Sequence, residues 1–233
     1  MKLSSEFLAY LADTYDADGD CERLPSLQAL SKQLGVSVSS LREQMEVARA
    51  LGLVEAKPRT GIRRLPYSFT PAVEQSLFFA ITLNQDSFLK FADLRQNLET
   101  AYWYQAVDLL SGDDRVFLQD LMGRAWAKLR GTPIKIPQLE HRQLHMTIYR
   151  RLDNPFVSGI LEAYWDAYEA VGLNLYADYH YLEEVWTYHQ RMVDAICGGV
   201  LAEGYQALVE HNDLIRHRVV QDENGRVQIA HSN

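Results

Sequence analysis

Helix-breaking residues recur from residue 70 onward at intervals of about one helix length, and this spacing restricts the fold more than any other feature of the chain. Gly112-Asp113, Gly131-Thr132-Pro133, Asn154-Pro155, Gly172 and Gly198-Gly199 each interrupt stretches whose apolar residues repeat with helical period. Seven helices are predicted, at roughly 71–84, 87–111, 113–130, 138–152, 155–171, 177–197 and 200–219, with no convincing strand between Thr70 and Val220. Helices of such length joined by short breaks pack as an antiparallel bundle.

The first 66 residues follow a different plan. Phe7, Leu8 and Leu11 share a helix face within Ser4 to Thr14. Ser26 is positioned to cap a short helix with Leu27, Leu30 and Leu34 inward, and Gly35 ends it. Ser37 caps a third helix in which Leu41, Met45 and Ala48 share a face, with Gly52 just past its end. Val54-Glu55-Ala56 and Ile62-Arg63-Arg64 then flank a turn at Lys57-Pro58-Arg59-Thr60-Gly61, which reads as a small hairpin. The expected fold is therefore mainly α: a winged helix-turn-helix over residues 1–66 and an all-helical antiparallel bundle of about seven helices over residues 67–233.

Charge separates the same two regions. The chain as a whole is at −8, yet Arg23 to Pro66 carries eight Lys/Arg against Glu43, Glu46 and Glu55, a local balance of +5. From Tyr67 onward 22 acidic residues oppose 14 basic ones, which would repel phosphate. Any nucleic-acid surface is therefore N-terminal. Burying the apolar face of the third helix leaves Ser39, Ser40 and Arg42 outward, where a major-groove reader needs them. Lys57, Arg59 and Arg63 on the hairpin suit phosphates or the electronegative minor groove. A protein-protein module is the other use of such a trihelical unit, and the agreement of pattern with charge favours double-stranded DNA as the partner.

The run LPSLQALSKQLGVSVSSLREQMEVARALGLVEAKPRTG resembles the winged helix of the GntR superfamily of bacterial transcription regulators, through its LPS lead, LGVS, LRE, GLV and Gly-bearing wing. The resemblance implies DNA-proximal positions at Ser37, Ser40, Arg42 and Gly61. Gln28 and Val38 stand where the family often carries Arg, so Gln28 joins the DNA-facing set with guanine readout weakened there.

Four of the seven histidines form the second constellation. His141 and His145, spaced i and i+4, project from one helix face, as two ligands of one metal do. His189 and His211 lie symmetrically about residue 200, beside the Gly198-Gly199 break, so a helical hairpin folding there brings them level. The two readings are a shared metal site and a metal-free polar pocket. His180, His217 and His231 lack such partners and read as surface residues. Tyr102, Trp103, Tyr104, Tyr164, Trp165, Tyr168, Tyr176, Tyr179, Tyr181, Trp186 and Tyr188 read mainly as packing.

These residues resemble the FadR-type ligand-binding domain, FCD, whose metal-binding members use an Asp, a His four residues later and two His on the final two helices. By that resemblance His145, His189 and His211 are the three histidines, and Arg95-x-x-Leu98-Glu99 matches an R-x-x-L-E element. The Asp position holds His141, with Glu140 as the other substitute; Glu140 is offset from His145 by about 140° of helix, so His141 points better. An imidazole-only set favours zinc or nickel, or copper, over magnesium, calcium or manganese. Arg95 beside such an ion suits a small anionic effector such as a carboxylate, and an ion pair with Glu99 is the alternative use of that guanidinium.

The function expected is a homodimeric, one-component transcription regulator, in the usual case a repressor, reading a pseudo-palindromic operator under effector control. Arg64-Leu65-Pro66-Tyr67-Ser68-Phe69 reads as the coupling linker. The alternatives are a metal-dependent hydrolase using Glu140 or Glu184 as base, and a regulator whose second domain only dimerises. Cys21 and Cys197 form no CxxC pair, and neither a leader pattern nor a membrane-length apolar run is visible, so no membrane and a cytoplasmic location are expected.

Overall fold

The computed structural model describes residues 3–15, 23–57, 61–171, 179–221 and 227–229. Cys21, Arg59 with its neighbours 58 and 60, Tyr176 and His231 lie outside the described residues, as does the side chain of His217. The chain forms two compact units, Met1–Gln75 and Ser76–Asn233.

The first unit holds three helices, α1 (Glu6–Asp13), α2 (Leu27–Leu34) and α3 (Val38–Ala50), and a hairpin of β1 (Val54–Lys57) with β2 (Gly61–Arg64). Local chemistry sets the helix ends. The hydroxyls of Ser5, Ser26 and Ser37 accept the N–H groups of Leu8, Ala29 and Ser40 at 3.2, 3.3 and 3.2 Å, each such cap being worth about 1 kcal/mol. Gly35 (φ 68°) ends α2 in the left-handed conformation, and Gly52 (φ 70°) follows α3 in the same way. Phe7, Leu8, Leu11, Leu24, Leu30, Leu41, Ala48, Val54 and Ile62 form the core. Met45, expected inward with Leu41 and Ala48, packs at its edge.

Two long-range contacts here have no local signal. The Gln44 side chain accepts the Phe7 N–H at 2.9 Å and donates to Glu6 and Ser40, so α3 caps the first turn of α1. Arg64 is buried, and its guanidinium donates to the Thr14 carbonyl and hydroxyl. Residues past the hairpin stay with this unit: Leu65 N–H donates to Leu53 O at 3.0 Å, and Tyr67 N–H to the Tyr15 hydroxyl at 3.3 Å. The unit accordingly runs on to Gln75, inside helix α4 (Thr70–Leu83), rather than ending after Pro66.

Beyond α4 the chain continues as α5 (Asp86–Asp108), α6 (Gly112–Leu129), α7 (Gln138–Tyr149), α8 (Pro155–Val171), α9 (Tyr179–Gly198) and α10 (Leu201–Arg218). Among the described residues these are the seven helices that the breakers delimit. Ser111 and Asp114 make a reciprocal capping box at the start of α6, and Arg150 and Arg151 at the end of α7 pair with the buried Asp114 carboxylate. The core joins Trp103 on α5, Leu118, Leu121 and Met122 on α6, Leu144 and Ile148 on α7, Trp186 and Met192 on α9 and Leu208 on α10. Helices α9 and α10 are antiparallel, since His189 meets His211, Arg191 meets Glu210 and Ala195 lies opposite Gly204. The reading of no strand up to Val220 needs correction: β3 (Val219–Gln221) pairs antiparallel with β4 (Val227–Ile229). The β-branched Val219-Val220 pair, followed in sequence by Asn224-Gly225, is the signal that helical periodicity outweighed. No helix among the described residues is long and apolar enough to cross a membrane.

Candidate functional site

On the first unit, the capped start of α3 presents Ser37, Ser39 and Arg42 to solvent, and Gln28 on α2 is exposed as well. Ser40 departs from the expectation of an outward side chain: it is half-buried, and its hydroxyl accepts from Gln44 Nε2 at 3.3 Å. Ser40 and Gln44, four residues apart, share the helix face turned to α1.

In the hairpin, Lys57 pairs with Gly61 and Glu55 with Arg63. Period-two alternation sends Ile62 and Arg64 inward and Arg63 outward, so Arg64 is withdrawn from the exposed charge of the hairpin. Lys57 is exposed and lies 2.6 Å from Glu55. A further cation lies against the hairpin. Arg23 forms an antiparallel bridge with Arg63, fixed by the Leu24 N–H to Ile62 O bond of 2.9 Å. Its guanidinium crosses Gly61 so closely that a methyl there would fall 3.4 Å from Arg23 Nε. Sequence reasoning counted Arg23 only as bulk charge, because its pairing with the hairpin spans forty residues.

In the second unit, α7, α9 and α10 bring the histidines together. One ligand atom from each of His141, His145, His189 and His211 lies within 4.8 Å of every other. His145, His189 and His211 are fully buried, and Trp165 and Trp186 wall the cluster, with ring centroids 4.7 Å from His141 and 4.8 Å from His189. His189 Nε2 lies 3.3 Å from His145 Nε2 and 3.2 Å from His211 Nε2. A single ring nitrogen carries either one proton or one lone pair, so His189 Nε2 can complete one of these contacts by hydrogen bonding, and not both.

A shared cation would resolve the conflict. A tetrahedral zinc with Zn–N bonds of about 2.0–2.1 Å separates its ligand atoms by about 3.3–3.4 Å, close to both distances. His141 Nε2 is likewise buried without a hydrogen-bond partner. Burial first, then neighbouring histidines and Arg95, hold all four imidazoles well below the usual histidine range; for His145 the neighbour is Arg95 alone. They are neutral at neutral pH, the form that binds metal. Two of the six ligand-atom separations therefore match a tetrahedral ion, and the widest, up to 4.8 Å, has to close for all four imidazoles to hold one.

Glu140 is not part of this set, because Lys128 holds its carboxylate at 2.6 and 2.8 Å. His141 is the fourth member. Arg95, expected near an effector, is 1% exposed and engaged: its Nε lies 3.0 Å from Glu99 Oε1 and its Nη2 2.8 Å from His145 Nδ1. The rings of Tyr164 and Trp165 lie 4.8 and 5.4 Å from the guanidinium. Glu99, fully buried, is a site residue that the sequence presented only as Arg95's ion-pair partner; burial pushes its carboxyl up to about 7 against the opposing pull of Arg95 and His211.

The FCD domain family matches residues 90–214, more than half of the chain. The chain belongs to the FCD family. This FCD protein is 25% identical over 203 residues to the uncharacterized HTH-type transcriptional regulator YieP of Escherichia coli K12, covering 82% of this chain and 84% of that one. Its fold is similar to that of Streptococcus agalactiae GntR, with a TM-score of 0.64 at 17% identity, over 91% of this chain and 95% of that one. These likenesses bear out a GntR-type transcription regulator rather than an enzyme. Regulators of this family bind DNA operators and small effectors, and FCD domains often bind metal. Of the hydrolase bases considered, Glu140 is tied to Lys128, and Glu184 lines a cleft of about 410 Å³ whose walls include none of the four histidines.

Proposed function

We propose that this FCD protein is a dimeric repressor whose two α3 helices enter successive major grooves of a pseudo-palindromic operator. A divalent ion, zinc or nickel, held by His141, His145, His189 and His211 sets the affinity for a small carboxylate effector. Gln28, Ser37, Ser39, Arg42 and Arg63 face the DNA, with Ser40 behind them; Lys57, Gly61 and Arg59 belong to the wing. One observation carries the metal reading: a single nitrogen, His189 Nε2, meets two others at 3.2 and 3.3 Å inside an apolar shell.

Charge supports the effector class. Four neutral imidazoles leave a divalent ion at +2, and Glu99 at most cancels Arg95 when ionised, so the buried site carries a surplus that an anion neutralises. The carboxylate binds the ion as an added fifth ligand, and Arg95 acts on it through its field from one shell out rather than by direct contact. Effector binding shifts DNA affinity only to the extent that it favours one arrangement of the dimer.

The test is elemental analysis of protein purified without a metal-affinity tag, with His189→Ala beside it and operator binding followed by fluorescence anisotropy. About one zinc or nickel per chain, lost in the variant together with effector response, supports the reading. Protein that neither contains nor takes up metal refutes it.

A further inference from the structure

His145 stands apart from His189 and His211 on its second nitrogen. The Nδ1 atoms of His189 and His211 are buried without hydrogen-bond partners, whereas His145 Nδ1 has two candidates within reach: Arg95 Nη2 at 2.8 Å and Glu99 Oε1 at 3.1 Å. These partners make opposite demands. A guanidinium only donates and a carboxylate only accepts, so one Nδ1 satisfies one of them at a time. If Nδ1 is bare it accepts from Arg95, and the ring proton sits on Nε2, facing His189. If Nδ1 bears the proton it donates to Glu99, and Nε2 offers its lone pair to the middle of the histidine cluster.

Neither partner can move away. Arg95 and Glu99 lie four residues apart on α5, their side chains are 1% and 0% exposed, and they pair with each other at 3.0 Å. Tyr164 and Trp165 both pack against the guanidinium, and the Tyr149 hydroxyl donates to the Glu99 backbone carbonyl at 2.9 Å, which pins that turn of α5.

We propose that Arg95 and Glu99 form a two-position switch around His145: Arg95 holds the ring in the Nε2–H tautomer while the cluster is empty, and Glu99 accepts from Nδ1–H once Nε2 ligates an ion. The proposal rests on the metal reading above. The ring keeps one proton throughout; only the nitrogen carrying it changes, by exchange with solvent. Glu99 is then a positioning residue of the carboxylate–histidine–metal kind. Because its partner Arg95 loses a hydrogen bond at the same moment, metal occupancy is registered on α5 as well as on the ligand helices.

Two measurements test this. Long-range proton–nitrogen NMR of ¹⁵N-histidine protein reports the tautomer of each ring: His145 is expected as Nε2–H in metal-free protein and Nδ1–H after addition of one equivalent of zinc. Zinc competition against a chromophoric chelator is expected to show Glu99→Gln binding 10- to 100-fold more weakly than wild type. An Nδ1–H His145 before zinc is added, or a Glu99→Gln affinity within threefold of wild type, overturns the switch alone. Failure of the wild type to bind zinc overturns the metal reading and the switch together. The NMR arm needs no variant, so a Glu99→Gln protein that does not fold leaves the decision to the wild-type spectra.

Discussion

Gly204→Ala should destabilise the second unit even though alanine is the better helix former. Gly204 sits on α10, seven residues before His211 and therefore on nearly the same helix face. A methyl there would fall 2.6 Å from Trp103 Cζ2 and 3.1 Å from the Ala195 Cβ. Trp103 cannot yield cheaply, since its side chain is fully buried and its Nε1–H donates to Leu201 O at 3.1 Å. The propensity gain is about 1 kcal/mol. Forcing a methylene-sized group into a packed core costs about 1–3 kcal/mol, so the net loss is about 1–2 kcal/mol at the upper part of that range. For a chain of this size that lowers Tm by roughly 2–8 °C in a thermal melt followed by circular dichroism. The clash also moves α10 relative to α5, which takes His211 off its 3.2 Å approach to His189, and zinc affinity should fall with Tm. An unchanged or higher Tm would mean that propensity wins and that the Trp103 contact is soft. A lower Tm with unaltered zinc affinity would mean that α10 does not transmit the displacement over two turns.

Arg23→Gln should weaken DNA binding alike on specific and unrelated duplexes and lower the salt dependence of log K by about 0.9, the equivalent of one lost phosphate contact. Anisotropy titrations over a range of salt check this, and an unchanged slope would place Arg23 away from the DNA. His141→Asp should narrow the preference for zinc over manganese, because a carboxylate is the harder ligand. Competition titrations with the two ions measure it, and an unaltered ratio would put His141 outside the coordination sphere.

The bundle was legible because its helix ends are written in local chemistry. Ser26, Ser37 and Gly35 perform as caps, and the Gly198-Gly199 break folds α9 onto α10 so that residues equidistant from it meet. His141 and His145 were legible for the same reason, since helical spacing alone puts both on one face. Arg64 could have been read from the alternation that buries Ile62, but a count of charge does not distinguish the faces of a strand. The C-terminal hairpin was missed because three-residue strands carry little periodic signal. Gln44 and Arg23 were hidden for a different reason: each acts across more than thirty residues, and nothing local marks a side chain that caps another helix or lies over a distant glycine.

Glu99 joins both classes, and on the proposed metal reading its position bears on how a histidine, His141, could serve as the fourth ligand. The R-x-x-L-E spacing already placed an acid one helical turn from Arg95, which satisfies an ion pair without reference to any metal. Only the approach of α7 turns that pair into the outer shell of a ligand, by setting His145 Nδ1 within 3.1 Å of the carboxylate. A negative charge one shell out does part of the work that a ligating carboxylate would do directly, raising the basicity of the imidazole that faces the ion. Its charge is offset by Arg95, however, so it cannot neutralise the ion. On the proposed reading, a site built in this way would hold a metal through nitrogen donors and remain positive enough to need an anion from outside, which is the property that an effector site for carboxylates requires.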